Sequence, residues 1–203
     1  MSLARALWAA NKDWADRILA NRFVQGLGDG TLPVESFKRY VAQDAYFLEA
    51  FARAYAFCLA HGEDREDLYG FAELIAGVLD ELRLHKSYAE RWQVSLGGVT
   101  PVAATRAYVD FLLDVARRGN LGETVAAMTP CMRLYAWLGQ MLAAGRIAER
   151  YAEWVKTYAD PEFESLATRL EQLLEAHAQD TPAVRANYRR AMELEHGFFD
   201  ANL

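Results

Sequence analysis

The sequence predicts an all-α protein, a helical bundle with short connections. Three observations carry this reading. Apolar residues recur at turn-related spacings along nearly the whole chain. β-Branched residues are scattered and form no alternating runs of the kind a half-buried strand needs. Glycine, proline and capping residues fall between the periodic stretches, where helices start and stop.

The elements follow in order. A first helix starts near Ser2, carries Leu7, Trp14 and Ile18, and ends near Asn21. Residues 23–32 hold Gly26, Gly28 and Gly30 and read as a loop. Pro33 suits a first helical turn, where its missing N–H is no loss. That helix runs to about Ala60 and Gly62 punctuates its end, and another helix covers residues 65–92. After a break at Gly97, Gly98 and Pro101, helices are expected over residues 101–118, 121–144 and 147–158. Asp160-Pro161 marks a turn before a helix reaching Ala178, and Thr181-Pro182 opens the last helix with Thr181 as N-cap. With no repeat, low-complexity segment or linker, residues 1–203 read as one domain.

Composition narrows the function classes. The 203 residues are 53% hydrophobic and carry a formal net charge of −6. Arg17, Arg83 and Arg150 are interleaved with acids and form no basic stripe, which argues against nucleic acid as a partner. The N-terminal stretch from Met1 to Trp8 lacks the basic and apolar regions of a signal peptide. No apolar run reaches the roughly 18 residues that would span a bilayer, so no membrane partner is expected. Two cysteines, Cys58 and Cys131, make no disulfide framework, and a reducing cytoplasm is the expected location.

Three residues stand out chemically. Cys131 lies in Met128-Thr129-Pro130-Cys131-Met132-Arg133-Leu134-Tyr135, where Pro130 removes a helical hydrogen bond and should kink the helix beside the sulfur. Tyr135 is one turn on, on the same face. From this stretch alone a small buried hydrophobe is favoured over a nucleophile. Asp44 sits inside an aromatic-rich helix with Phe47 three residues on, solvated or paired with a base if it has no other task. Glu195 lies near Phe198 and Phe199, and burial there would raise its pKa. Glu193 reads as an exposed acid.

Metal and cofactor readings are weaker. Glu81 and His85 share a helix face, and a structural hydrogen bond between them is the preferred account. A bundle di-iron site needs two Glu-x-x-His pairs, and only Glu193 with His196 is present. The first histidine is His61, so a haem ligand on the first helix is missing. There is no Walker motif and no dinucleotide fingerprint.

Taken together these segments resemble the TenA/thiaminase II family along nearly the whole chain. The match rests on residues 23–33 with Phe37 and Tyr40-Val41, on Gln43-Asp44, on Glu81 to His85, on Pro130-Cys131 with Leu134-Tyr135 and Gly139, on Trp154 to Tyr158, and on Glu195 with Phe198-Phe199. Their shared order and spacing make the resemblance specific.

The resemblance implies a haem-oxygenase-like bundle that uses no haem, no metal and no other cofactor, usually assembled as a homotetramer. It implies hydrolysis of an aminopyrimidine at the methylene on its ring, with Cys131 as nucleophile and Glu195 as the acid/base contact. Asp44, Phe47, Tyr108, Tyr135, Tyr158 and Phe198 would line the pocket, and Cys58 would be a core residue. Three positions depart from the family pattern: Phe47 replaces a frequent Tyr, Leu194 precedes Glu195 where Tyr is common, and Arg133 stands where an aromatic is usual. Aminohydrolysis of an aminomethylpyrimidine is the leading expectation. A non-catalytic pyrimidine-binding or regulatory protein and a cofactor-free oxidase on the same bundle are the alternatives.

Overall fold

The computed structural model describes residues 1–203, and all its regular structure is helical. The ten α-helices are α1 (Leu3–Ala10), α2 (Lys12–Leu19), α3 (Arg22–Asp29), α4 (Val34–His61), α5 (Arg65–Trp92), α6 (Ala103–Arg117), α7 (Leu121–Ala143), α8 (Ala152–Ala159), α9 (Pro161–His177) and α10 (Pro182–Ala201). A single 3₁₀ turn, Glu149–Tyr151, leads into α8. The helix over residues 65–92 falls where the sequence puts it, and Ser2 and Thr181 both cap helices with their side chains.

Three local expectations are corrected. The first helix is two helices, broken at Asn11, whose amide donates to the Leu7 carbonyl at 2.8 Å. A short polar side chain competing for backbone groups explains the break. The glycine-rich stretch is mostly helix α3, capped by Asn21, which accepts from the Phe23 N–H at 2.8 Å. Its glycines serve packing: a Cβ on Gly26 would lie 2.9 Å from the Leu32 nitrogen, and only Gly30, at φ 78°, ends the helix in the left-handed region. Pro33 sits one position before α4, as its N-cap.

Helix α7 is the axis of the bundle. It packs against α4, α6, α8, α9 and α10, and every residue from Thr124 to Met132 is buried. A helix apolar on all sides belongs inside a bundle. It runs through Pro130 without interruption. Gly139 lets α8 approach closely, because a Cβ there would fall 2.4 Å from the Tyr158 carbonyl carbon. That contact sets the depth at which Tyr158 enters the core. The resulting hydrophobic cluster joins 52 buried residues, Cys58 among them. No helix is long and apolar enough to cross a membrane.

Candidate active site

The sequence-selected residues converge around the middle of α7. Cys131 is 8% exposed, and the acids that act on its thiol come from α10, α5 and α4. On the α10 side lies Glu195, 1% exposed, whose Oε1 accepts a hydrogen bond from the Tyr108 hydroxyl of α6 at 2.8 Å. Burial pushes the Glu195 carboxyl up to about 8, against the opposing pull of its contacts with Tyr108 and Cys131. Burial, then the neighbouring carboxyls of Glu195, Glu81 and Asp44, push the Cys131 thiol well above its ordinary value. Desolvation therefore favours the proton-bearing form of both groups.

On the α4–α5 side lies a second polar cluster. Asp44 is buried, and its Oδ2 meets His85 Nε2 at 2.8 Å. The His85 ring is fully enclosed, with Nδ1 2.9 Å from the Glu81 main-chain carbonyl. The hydrogen bond between Glu81 and His85 thus runs through the backbone. The Glu81 side chain turns instead to Tyr158, whose hydroxyl donates to Oε1 at 2.5 Å. Burial, then the Asp44 charge, raises the Glu81 carboxyl to about 7. Asp44 is neither solvated nor paired with Arg or Lys, because the only base delivered to its level of the bundle is His85.

Aromatic rings form the walls between the two clusters. Phe47 packs on Tyr108 at 4.7 Å and on Phe198 at 6.0 Å between ring centroids. Tyr135 meets Tyr158 edge-on at 4.8 Å and lies along Phe199 at 5.6 Å. Such stacked and edge-on pairs add about 0.5–1.5 kcal/mol each beyond area burial and fix ring orientation. Phe47 keeps a flat face against Tyr108 and brings no hydroxyl to it.

Two of the departures lie outside this enclosure or at its edge. Arg133 points to α9, where its guanidinium pairs with Glu164 at 2.7 Å and Glu171 at 2.8 Å. Leu194 is buried in the apolar cluster. Glu193 pairs with Arg190 at 3.0 Å on the outer face of α10. Sequence reasoning missed the tie of His85 to Asp44 and the tie of Glu81 to Tyr158. A turn-spaced Glu/His pair flagged those residues, but their partners come from other helices. It also missed Tyr40, buried on α4, whose hydroxyl accepts from the Trp154 indole at 3.2 Å.

A cavity of about 310 Å³ lies outside this enclosure, between α5, α7, α8 and α9. It reaches the site only at Glu81 and at Met132, the residue after Cys131. The enclosure itself is the better candidate for chemistry, since the thiol and its carboxyl neighbours lie there.

Fold and site together define a haem-oxygenase-like helical bundle enclosing a thiol between acid clusters, lined with aromatic rings. The profile of the TENA/THI-4/PQQC family matches residues 8–203, and the chain belongs to that family. An aminopyrimidine aminohydrolase from Halalkalibacterium halodurans is 32% identical, over 98% of this chain and 95% of that protein. An aminopyrimidine aminohydrolase from Bacillus subtilis is 29% identical, over 98% of this chain and 89% of that one. A solved structure described as a TenA family transcription regulator, from a Silicibacter species, superposes with a TM-score of 0.92 at 26% identity, covering 99% of this chain and 96% of that one.

Proposed function

We propose that this protein is an aminopyrimidine aminohydrolase of thiamin salvage. It converts 4-amino-5-aminomethyl-2-methylpyrimidine and water into the 5-hydroxymethyl compound and ammonia, with Cys131 as nucleophile. The observation that carries the reading is the buried Cys131 thiol adjoining the raised-pKa carboxyl of Glu195, which Tyr108 holds at 2.8 Å. Two relatives named as aminopyrimidine aminohydrolases along nearly the full chain support it.

The chemistry balances on these groups. The Cys131 sulfur adds to an electron-poor ring carbon, while Glu195 gives its proton to a ring nitrogen and receives the thiol proton. The dearomatised ring then returns its electrons toward the substituent. The bond between methylene and amine breaks, and the nitrogen takes its electron pair and a proton and leaves as ammonia; the water that next adds as hydroxide gives that proton back. Water adds hydroxide to the exocyclic alkene. Loss of sulfur and return of the ring proton restore the aromatic pyrimidine and the thiol. Phe47, Tyr135, Tyr158 and Phe198 hold the flat ring in an apolar slot, where hydrogen bonds act more strongly than in water. No cofactor enters this scheme, residues 1–203 act as one unit, and the proposed assembly is a homotetramer. Leu68, Tyr69 and Leu79, exposed on α5, supply apolar surface for such contacts. Light scattering at micromolar concentration checks that assembly, and a monomer mass alone contradicts it.

Steady-state turnover of the aminomethylpyrimidine beside thiamin tests the function. The amine should be the better substrate by kcat/KM. A clear preference for thiamin would make the protein a thiaminase proper. Tight pyrimidine binding with no turnover of either compound would favour a non-catalytic role, the reading supported by the regulator description of the Silicibacter relative.

A further inference from the structure

The reacting groups are shut away from solvent. Cys131 is 8% exposed, and Glu195 and Tyr108 are 1% exposed each, so a substrate needs a way in. The cavity between α5, α7, α8 and α9 has the form of one. Its volume of about 310 Å³ lies at the low end for small-molecule sites and admits a single ring with short substituents. Its rim carries exposed Asp80, Asp160 and Glu162, and its inner end is formed by buried Leu74, Val78 and Met132. It therefore runs from solvent to the residue that follows Cys131.

One aromatic layer divides the cavity from the enclosure. Tyr158 meets Tyr135 of the enclosure edge-on at 4.8 Å and Phe163 edge-on at 5.0 Å. Phe163 lines the cavity, so the Tyr158 ring is the partition. Its hydroxyl donates to Glu81 Oε1 at 2.5 Å, and Glu81 is itself a lining residue. That hydrogen bond latches the partition shut.

The lining also has a sign. Asp80, Glu81, Asp160 and Glu162 line the cavity, and no Lys, Arg or His does. Asp80 pairs in addition with Arg83 on the exposed face of α5. A primary aminomethyl group is protonated at neutral pH, so the substrate of the proposed reaction arrives as a cation. A cleft of one sign with low-dielectric walls concentrates ions of the other. The hydroxymethyl product carries no ammonium and is not held there.

We propose that this cavity is the antechamber of the active site, which gathers cationic amines and passes them to Cys131 when the Tyr158 ring swings away from Glu81. This rests on the aminohydrolase reading above. Asp80 and Glu162 select the substrate at encounter, away from the reacting atoms. Phe163 and Leu166 set the width of the passage.

A passage changes how fast ligand exchanges and leaves the bound state alone, which a packing residue or a binding subsite does not do. Stopped-flow binding of the hydroxymethyl product, beside calorimetry, reads the difference. Leu166→Trp, which fills the cavity, should slow association and dissociation together by about tenfold or more, with Kd within about threefold. Phe163→Ala should speed both, again at nearly constant Kd. Asp80→Asn combined with Glu162→Gln should leave exchange of the neutral product within about twofold, while kcat/KM for the amine falls about threefold or more and loses its salt dependence at unchanged kcat. Exchange rates unaltered by Leu166→Trp, or altered only as far as Kd is, overturn the passage. An undiminished kcat/KM in the double variant overturns the selection. Should Leu166→Trp not fold, Phe163→Ala decides, and unaltered exchange there overturns the proposal. Failure of wild type to bind the pyrimidine at all would instead sink the aminohydrolase reading itself.

Discussion

Tyr108 of α6 donates its hydroxyl hydrogen to Glu195 of α10 across 2.8 Å, and the contact lies beside the Cys131 sulfur of α7. Three separate helices thereby place a phenol, a carboxyl and a thiol in one desolvated spot. The phenol anchors the carboxyl without neutralising it, as an Arg would. Burial is then free to raise the Glu195 pKa to about 8, within reach of proton exchange at neutral pH.

Cys131→Ser should cost several decades in kcat, since the alcohol is a far weaker nucleophile in the same slot. Cys58 is buried in the apolar cluster, and burial pushes its thiol up to about 12. Cys58→Ser should keep activity within about tenfold. Steady-state kinetics on both variants checks this, and equal losses would remove Cys131 from its role.

Glu195→Gln should retain affinity for the hydroxymethyl product within about tenfold and lose about 10²–10⁴ in kcat. The amide can still hydrogen-bond the pyrimidine but cannot exchange a proton with it. Glu193→Gln, on the outer face of α10, should do neither. Calorimetry of product binding beside kinetics separates the two effects. Normal turnover by Glu195→Gln would make that residue a spectator.

Stability should fall as pH rises across neutrality. Glu195 and Glu81 are raised from the 4.5 of a free carboxyl to about 8 and about 7. The folded state therefore binds more protons than the unfolded chain between those limits. The associated stability is complete below pH 4.5 and is lost through about 8, with His85 adding in the same direction. Melting temperatures from pH 5 to pH 8.5 should decline for wild type. They should decline less for Glu195→Gln, by a shift that corresponds to on the order of a few kcal/mol of unfolding free energy. Parallel curves would show that Glu195 keeps an ordinary pKa.

Gly139→Ala should destabilise the fold by about 1–3 kcal/mol or more, because the added methyl meets α8 backbone, which cannot rotate away. It should also raise KM, since α8 carries Tyr158. Gly197→Ala, where a Cβ meets nothing within 4 Å, is the control and should be neutral or mildly stabilising. Thermal melts read the first effect and kinetics the second.

Much of this was legible in the chain. The 3.6-residue periodicity, the caps at Ser2 and Thr181 and the proline starts at Pro161 and Pro182 are local signals, and local hydrogen bonding enforces them. Cys131 was visible for following a mid-helix proline, Asp44 as a poor mid-helix residue and Glu195 for lying beside two aromatics, and the motif order tied them together. The glycines of α3 misled because flexibility and close packing ask for the same residue. Only the approach of Leu32 to Gly26 tells which applies.

What the sequence alone determined is the helical class and the absence of a basic face, properties of spacing and composition, while the candidate site residues came from the family resemblance. What only the tertiary structure decided is which acid meets which partner. His85 and Glu81 share a turn of α5, yet the ring turns to Asp44 of α4 and the carboxyl to Tyr158 of α8. Those choices depend on helix crossings and on the depth of α8 against Gly139. The raised pKa of Glu195 has the same origin, because desolvation exists only once α6, α7 and α10 have closed around it.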